Sequence, residues 1–287
     1  MHPWKRYRVR PGRKVRLDRC DPAERDGELA RTDKAAKATL ARLLPKIDRL
    51  QALLWAERRH RLLVVLQGMD TAGKDATIRR VFEGVNPQGV RVARFGPPTE
   101  VESAHDFLWR VHPKTPAAGE IVIFNRSHYE DVLWPRVHGT IDAREVERRL
   151  EAIRDFERLL TEEGATVLKF FLNIDRAEQK RRLEARLQDP AKHWKFSVHD
   201  LAERPRWPKY QRAYEELLAK TSTADAPWFV VPSNHPLSRD VVVAAILHRA
   251  LDRLPMRYPP LAPDVGRQLR SLGWRLPSST AGRSSQR

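Results

Sequence analysis

The apolar positions of the chain follow two alternating patterns. Between residues 33 and 60, Leu40, Leu43, Leu44, Ile47, Leu50 and Leu54 recur at steps of three and four, the period of one helix face. Pro45 lies inside this stretch and is expected to kink or split the helix. Leu62-Leu63-Val64-Val65-Leu66 is then apolar without a break and ends at Gln67-Gly68, the pattern of a strand buried on both faces of a parallel sheet. A glycine-rich turn and a helical stretch over about 74–84 follow. Residues 90–95 and 121–124 read as the second and third strands, with a helix over 100–111 between them. Over 142–160, Val146, Leu150, Ile153, Phe156 and Leu159 share one side of a helix that Gly164 should stop. Residues 166–173 form a fourth strand, and Asp175 is placed to cap the arginine-rich helix after it. A helix near 210–220, a strand at 228–231 and a helix near 241–254 complete the set. No internal repeat is visible. Strands alternating with helices predict an α/β fold with a largely parallel sheet.

This pattern divides the chain into an N-terminal arm and helix over 1–60, a core over 61–255, and a C-terminal tail over 256–287 rich in Pro, Ser and Arg. The last ten or so residues of the tail are expected to be disordered. Within the core, the segment from Asp189 to Pro208 breaks the regular alternation with KHWKFS and RPRWPKY, and a lid is expected over about 175–210. With 287 residues, 41% hydrophobic and 32% charged, the chain can build a real core and is not a disordered polyelectrolyte. No apolar run approaches the roughly 20 residues of a membrane helix. The basic N-terminus lacks the apolar centre of a signal peptide, and the single Cys20 excludes a disulfide framework or a Cys-rich zinc site. The expected compartment is the cytoplasm. A formal net charge of +17 should draw polyanions, among which nucleic acid, acidic membrane and a phosphate polymer all qualify.

The strongest motif is Gly68-Met69-Asp70-Thr71-Ala72-Gly73-Lys74-Asp75, which fits GxxxxGK between a buried strand and a helix start. Glycines let the backbone turn tightly so that successive N–H groups face an anion. The helix N-terminus adds partial positive charge, and Lys74 a full one. The loop from Gly68 to Asp75 is therefore the candidate phosphate cradle. Asp75 stands where a metal-binding Ser or Thr usually follows the lysine. Asp70 and Asp75 offer carboxylates, hard ligands for Mg²⁺, and a loop with two acids favours a metal-bridged phosphate. The third strand ends in Phe124-Asn125-Arg126-Ser127-His128-Tyr129-Glu130-Asp131. A neighbouring strand end faces the same site in such folds, which puts Arg126 near the transferred group and makes Asn125, Glu130 and Asp131 candidates for holding nucleotide or metal. His128 reads as a hydrogen-bonded structural residue, and His105, His112 and His138 lack metal-ligand spacing. Lys180, Arg181, Arg182, Arg186, Lys192 and Lys195 cluster with Trp194, Phe196 and Trp207 and read as a lid over the phosphates. A nucleic-acid surface and a merely solvated face are the competing readings of that cluster. For the whole chain, an ATP-dependent small-molecule kinase and a non-catalytic nucleic-acid-binding protein stand as alternatives to a kinase that uses a phosphate polymer.

GMDTAGKD, FNRSHYED, KHWKFS, WPKYQRAYEELLAKTST and APWFVVPSNH, in this order, resemble the polyphosphate kinase 2 family over about residues 15–255. The resemblance implies a thymidylate-kinase-like P-loop fold with a helical lid, and phosphoryl transfer between inorganic polyphosphate and adenine or guanine nucleotides with Mg²⁺, or Mn²⁺ in its place. It also implies a homo-oligomer, with no membrane or nucleic-acid partner. FNRSHYED, with Glu130 where other members have Asn, resembles the subgroup that phosphorylates AMP and ADP. Asp70 and Lys74 match the essential loop acid, which is also the metal ligand, and the essential lysine. Arg126 matches the second-motif arginine, and Arg181, Arg182, Lys192 and Lys195 fall in the region implied to contact polyphosphate. Two departures stand out. Gly96 follows Phe95 where relatives often carry lysine, and Pro236 follows the VVPSNH strand where they often carry a cation. Arg94 and Arg239 are the candidates to compensate.

Overall fold

The leucine pattern of the first helical stretch is realised as α1 (Asp33–Glu57). It opens with the Thr32 hydroxyl accepting the Ala35 amide at 3.2 Å and closes where Arg58 turns left-handed. In the computed structural model, which describes residues 2–196 and 198–274 apart from the side chains of 195 and 198–200, α1 runs through Pro45 unsplit. The proline forfeits one backbone hydrogen bond. Buried Leu40, Leu43, Ile47 and Leu54 on either side keep the flanking turns on the core.

Five strands follow: β1 (Arg61–Gln67), β2 (Val90–Arg94), β3 (Ile121–Asn125), β4 (Ala165–Asn173) and β5 (Trp228–Pro232). They form one sheet in the order β2-β3-β1-β4-β5, and every neighbouring pair is parallel. β1 lies at the centre with Leu66 opposite Asn125 of β3 and Phe170 of β4. Its residues from Leu62 to Gln67 are buried, as an unbroken apolar run requires. A parallel sheet puts all carboxyl ends on one edge, so the segments leaving β1 and β3 emerge side by side.

The longer helices of the core are α2 (Lys74–Val81), α3 (Glu130–His138), α4 (Ala143–Glu162), α5 (Arg176–Leu187), α6 (Trp207–Thr221) and α7 (Pro236–Asp252). α4 begins at Asp142 and α5 at Asp175, each carboxylate accepting an amide three residues on at 2.7 Å. The helix expected over 100–111 is instead one turn, Glu100–Ser103, opened by a Thr99–Glu102 capping box. The Asp106 carboxylate then accepts the Leu108 amide at 3.0 Å, a local bond that competes with helix continuation.

The N-terminal arm pairs antiparallel with the exposed edge of β5 through Arg8 and Phe229. The Val9 amide donates to the Trp228 carbonyl at 2.8 Å, and Val230 to that of Tyr7 at 2.9 Å. The arm thus covers an edge that would otherwise invite another chain. Beneath the sheet, Lys169 of β4 is fully buried. Its ammonium donates to Glu157, to the Tyr129 hydroxyl at 3.1 Å and to the Thr221 carbonyl at 2.7 Å. His128 lies 3.3 Å from the same Glu157, which makes it part of this buried network, as the sequence suggests. The described residues from 257 onward form a separate unit containing α8 (Pro263–Ser271). The last ten residues, expected to be disordered, lie outside the described set. Among the described residues no helix is long and apolar enough to cross a membrane.

Candidate active site

The turn between β1 and α2 has a backbone that its sequence dictates. Gly68 has φ 151°, and a Cβ there would lie 2.7 Å from the Leu172 carbonyl oxygen. Gly73 has φ 107°, and a Cβ would fall 1.9 Å from the Arg239 guanidinium. Only glycine fits either position. Thr71 is held left-handed at φ 66° although it is β-branched, and its hydroxyl is buried with no partner in the protein. Strain and an orphaned donor in one loop mark a place built for something to bind.

Two arginines hold this loop from outside. Arg182 of α5 donates through Nη1 to the carbonyls of Thr71 (2.9 Å) and Ala72 (3.1 Å), and through Nη2 to those of Ser233 (2.5 Å) and Asn234 (3.3 Å). Its Nε–H goes to Glu178 at 2.6 Å. All five guanidinium donors therefore have protein acceptors. Arg182, expected in the region that contacts polyphosphate, here spends each of these donors on the protein. Arg239 of α7 lies fully buried under Gly73, with Nε on Asp240 at 2.8 Å and Nη1 on the Ala72 carbonyl at 3.3 Å. In a planar trans peptide the N–H points opposite to the carbonyl. Tying the Ala72 carbonyl outward thus turns the Gly73 amide inward, where it joins the unpaired amides of the first turn of α2.

Lys74, half-buried, folds back over the loop and donates to the carbonyls of Gly68 (2.8 Å) and Met69 (3.3 Å). Burial, helped by the nearby Arg126 guanidinium, lowers its ammonium to about 8, against the opposing pull of Asp70, Glu130 and Asp75. Arg126 leaves β3 left-handed, φ 62°, and donates to Asp70 Oδ1 at 2.7 Å, with Glu130 3.8 Å away. The Gln67 amide, oriented to satisfy both its ends, donates to Glu130 at 3.0 Å and accepts from the Ser127 hydroxyl at 3.0 Å. Burial pushes the Glu130 carboxyl up, against the pull of Arg126 and Lys74. The structure thus brings Asp70, Lys74, Asp75, Arg126 and Glu130 together at adjoining strand ends.

The other candidates are placed differently. Asn125 donates to Asp75 at 2.6 Å and fixes that carboxylate at the start of α2. Asp131 receives Arg110 on both oxygens at 2.9 Å and lines a groove of about 470 Å³ with it. Both Asp131 oxygens are therefore occupied by a cation. Arg181 is 65% exposed and pairs with Glu178, and Lys192 is 55% exposed and pairs with Asp189. Neither reaches the loop among the described residues, and the Lys195 side chain lies outside the described set. Of the compensating cations, Arg94 is exposed and Arg239 is occupied beneath the loop. The cations that reach Phe95-Gly96 are Arg110, donating to the Gly96 carbonyl at 2.9 Å, and Lys114, 4.5 Å over the Phe95 ring.

Sequence reasoning missed Gln179, which donates to the Asp70 carbonyl at 3.3 Å and accepts from Arg204 at 2.7 Å. It also missed Tyr210 and Tyr214, whose hydroxyls burial raises; Glu203, accepting from the Tyr210 hydroxyl at 2.8 Å, raises that one further, and Glu130 raises that of Tyr214. The available signal was spacing: Gln179 and Arg182 are three apart on one helix face, as Tyr210 and Tyr214 are four apart on another. Among the described residues, no three metal-binding side chains form a closed cage. A small hard cation with phosphate ligands does not need one, since one or two carboxylates suffice. Asp70, one-quarter exposed with Oδ1 on Arg126, and the nearby Asp75 and Glu130 fit that donor set.

The polyphosphate kinase 2 family matches residues 30–258. The chain is 51% identical over 255 residues to a Meiothermus ruber protein named AMP/ADP-polyphosphate phosphotransferase, covering 89% of this chain and 95% of that one. It is 38% identical over 285 residues to an ADP-polyphosphate phosphotransferase of Rhodopseudomonas palustris, covering 92% and 95%. A crystal structure of polyphosphate kinase 2 from Arthrobacter aurescens TC1 superposes with a TM-score of 0.89 at 45% identity, covering 95% and 96%. The parallel sheet, glycine loop and flanking helices are those of a P-loop kinase fold, and the chain belongs to the polyphosphate kinase 2 family.

Proposed function

We propose that the protein is a polyphosphate-dependent nucleotide kinase, moving a phosphoryl group between inorganic polyphosphate and AMP or ADP. The observation that carries this reading is the convergence of a strained, inward-facing amide loop, the Lys74 ammonium and the Arg126–Asp70 pair at the ends of β1 and β3. The relatives' activities, the FNRSHYED segment and Glu130 support acceptance of both AMP and ADP.

In this reading the loop amides and Lys74 hold the terminal phosphates of the polymer, and Arg126 lies against the group in transit. A terminal phosphate oxygen of the acceptor attacks the end phosphorus. The bond to the bridging oxygen breaks, and the polymer, shorter by one unit, leaves with the electron pair. The attacking oxygen is already ionised at neutral pH, so catalysis is chiefly alignment and charge neutralisation. Magnesium, bound at Asp70 with phosphate oxygens, would neutralise charge on donor and acceptor. The segment from α5 to the start of α6 serves as the lid that excludes water. Supplying AMP with either polyphosphate or ATP as sole donor tests the reading. ADP and ATP formed from polyphosphate are expected. Phosphorylation of AMP from ATP alone would instead favour the small-molecule kinase.

The Lys74 value sets a pH limit. Only the protonated amine attracts phosphate, and the free enzyme loses that proton near pH 8. The kcat/KM for polyphosphate, which reports the free enzyme, is expected to fall as pH rises through about 8. In Lys74→Arg this alkaline limb should disappear, whatever the residual rate, because a guanidinium stays charged. A pH–rate profile of both proteins checks this.

A further inference from the structure

A second cationic site lies away from the phosphate loop. A groove of about 870 Å³ is bounded by the N-terminal arm, α4 and α6, next to the turn that enters β5. Arg13 and Lys14 come to it from the arm, Arg154 from α4, and Arg212 and Lys220 from α6. Its two carboxylates are already engaged: Glu215 accepts the Leu17 amide at 2.8 Å, and Glu216 pairs with Arg136 and Lys220. The side chains of Arg13, Lys14, Arg154 and Arg212 are exposed and make no hydrogen bond or ion pair among the described residues. Like charges brought from three segments to one concave surface repel one another and focus a positive field into it. A bound polyanion would relieve that repulsion.

We propose that this groove is a second polyanion site, which holds a distal stretch of a long polyphosphate chain while the reacting end occupies the Lys74 loop. The proposal rests on the donor assigned above. The groove lies at the amino end of β5 and the loop at the carboxyl end of β1, so at least a strand's length, roughly 17 Å, separates them. A long chain can reach both; tripolyphosphate cannot. Occupying the groove makes delivery of the chain end to the loop an intramolecular event and raises its effective concentration there. The unpaired charges suit an inorganic polymer with a charge on every unit.

The test is the combined variant Arg13→Ala, Arg154→Ala, Arg212→Ala, which removes exposed, unpaired side chains and leaves the catalytic loop untouched. Its KM for long-chain polyphosphate is expected to rise about tenfold, with kcat unchanged and the kinetics with tripolyphosphate unaltered. An unchanged KM for the long chain would overturn the proposal. So would an equal rise for both donors, which would mean that the three cations act through the general field at the loop. Calorimetric titration of long-chain polyphosphate into both proteins gives a readout independent of turnover. Equal affinities there would overturn the groove even if no transfer were seen, whereas absence of transfer from every polyphosphate would overturn the donor assignment alone.

Discussion

Lys74→Ala is expected to lower kcat/KM for polyphosphate about 10³-fold and to leave the protein folded. The ammonium is the one full positive charge inside the loop, and it stands where the charge of the phosphoryl group develops. Removing a preorganised electrostatic partner of this kind costs on the order of 10²–10³ in rate. Here the loss falls at the upper end, because Lys74 also offsets the three carboxylates acting on it. Stability should hold, since its ammonium is desolvated and bonds only two carbonyls of its own loop. Steady-state kinetics and a thermal melt of the purified variant check both halves. Activity within tenfold of the unaltered protein, with an unchanged melt, would remove Lys74 from the mechanism.

The second large effect is expected at Arg182, a residue that touches no substrate in this arrangement. Arg182→Lys keeps the charge but loses the planar fork, and a lysine cannot serve the carbonyls of Thr71, Ala72, Ser233 and Asn234 together. Without that support the Thr71–Ala72–Gly73 backbone can rotate and its amides no longer converge. A misplacement of about 1 Å is enough to cost 10²-fold in rate, and that is the fall in kcat expected for Arg182→Lys. The salt dependence of polyphosphate binding separates this from direct contact. Its slope counts phosphate contacts and should be the same in both proteins. A flattened slope in Arg182→Ala, with Arg182→Lys near normal, would return Arg182 to the phosphate-binding set. The kinetics belong at a temperature well below the melt of the variants, since several buried carbonyls lose their donor.

The strands, the loop and most helices were legible because burial on both faces and the 3.6-residue period leave direct marks in sequence. Residues 62–66 had one reading, and the glycines at 68 and 73 had one backbone compatible with the motif. What sequence could not supply was the direction of each polar side chain. Arg181 and Arg182 look equivalent in a row of cations, yet adjacent helix positions point about 100° apart, so one faces solvent and the other the loop. Asn125 and Asp131 were grouped with Glu130 by proximity along the chain. In space their partners, Asp75 and Arg110, come from segments remote in sequence. Pro45 and the 100–111 stretch failed for opposite reasons. Tertiary burial carried α1 across its proline, while a local Asp106 turn ended a helix that periodicity would have continued.

The most direct measurement of the central claim is a mass balance. The protein is incubated with magnesium, long-chain polyphosphate and AMP in the absence of ATP, and nucleotides and polymer are resolved by chromatography over time. ADP and then ATP should appear, with one phosphate unit lost from the polymer for each phosphoryl group gained by nucleotide and little free phosphate released. Polymer that stays intact, or that shortens only by releasing orthophosphate while AMP is unchanged, would contradict a polyphosphate-driven nucleotide kinase.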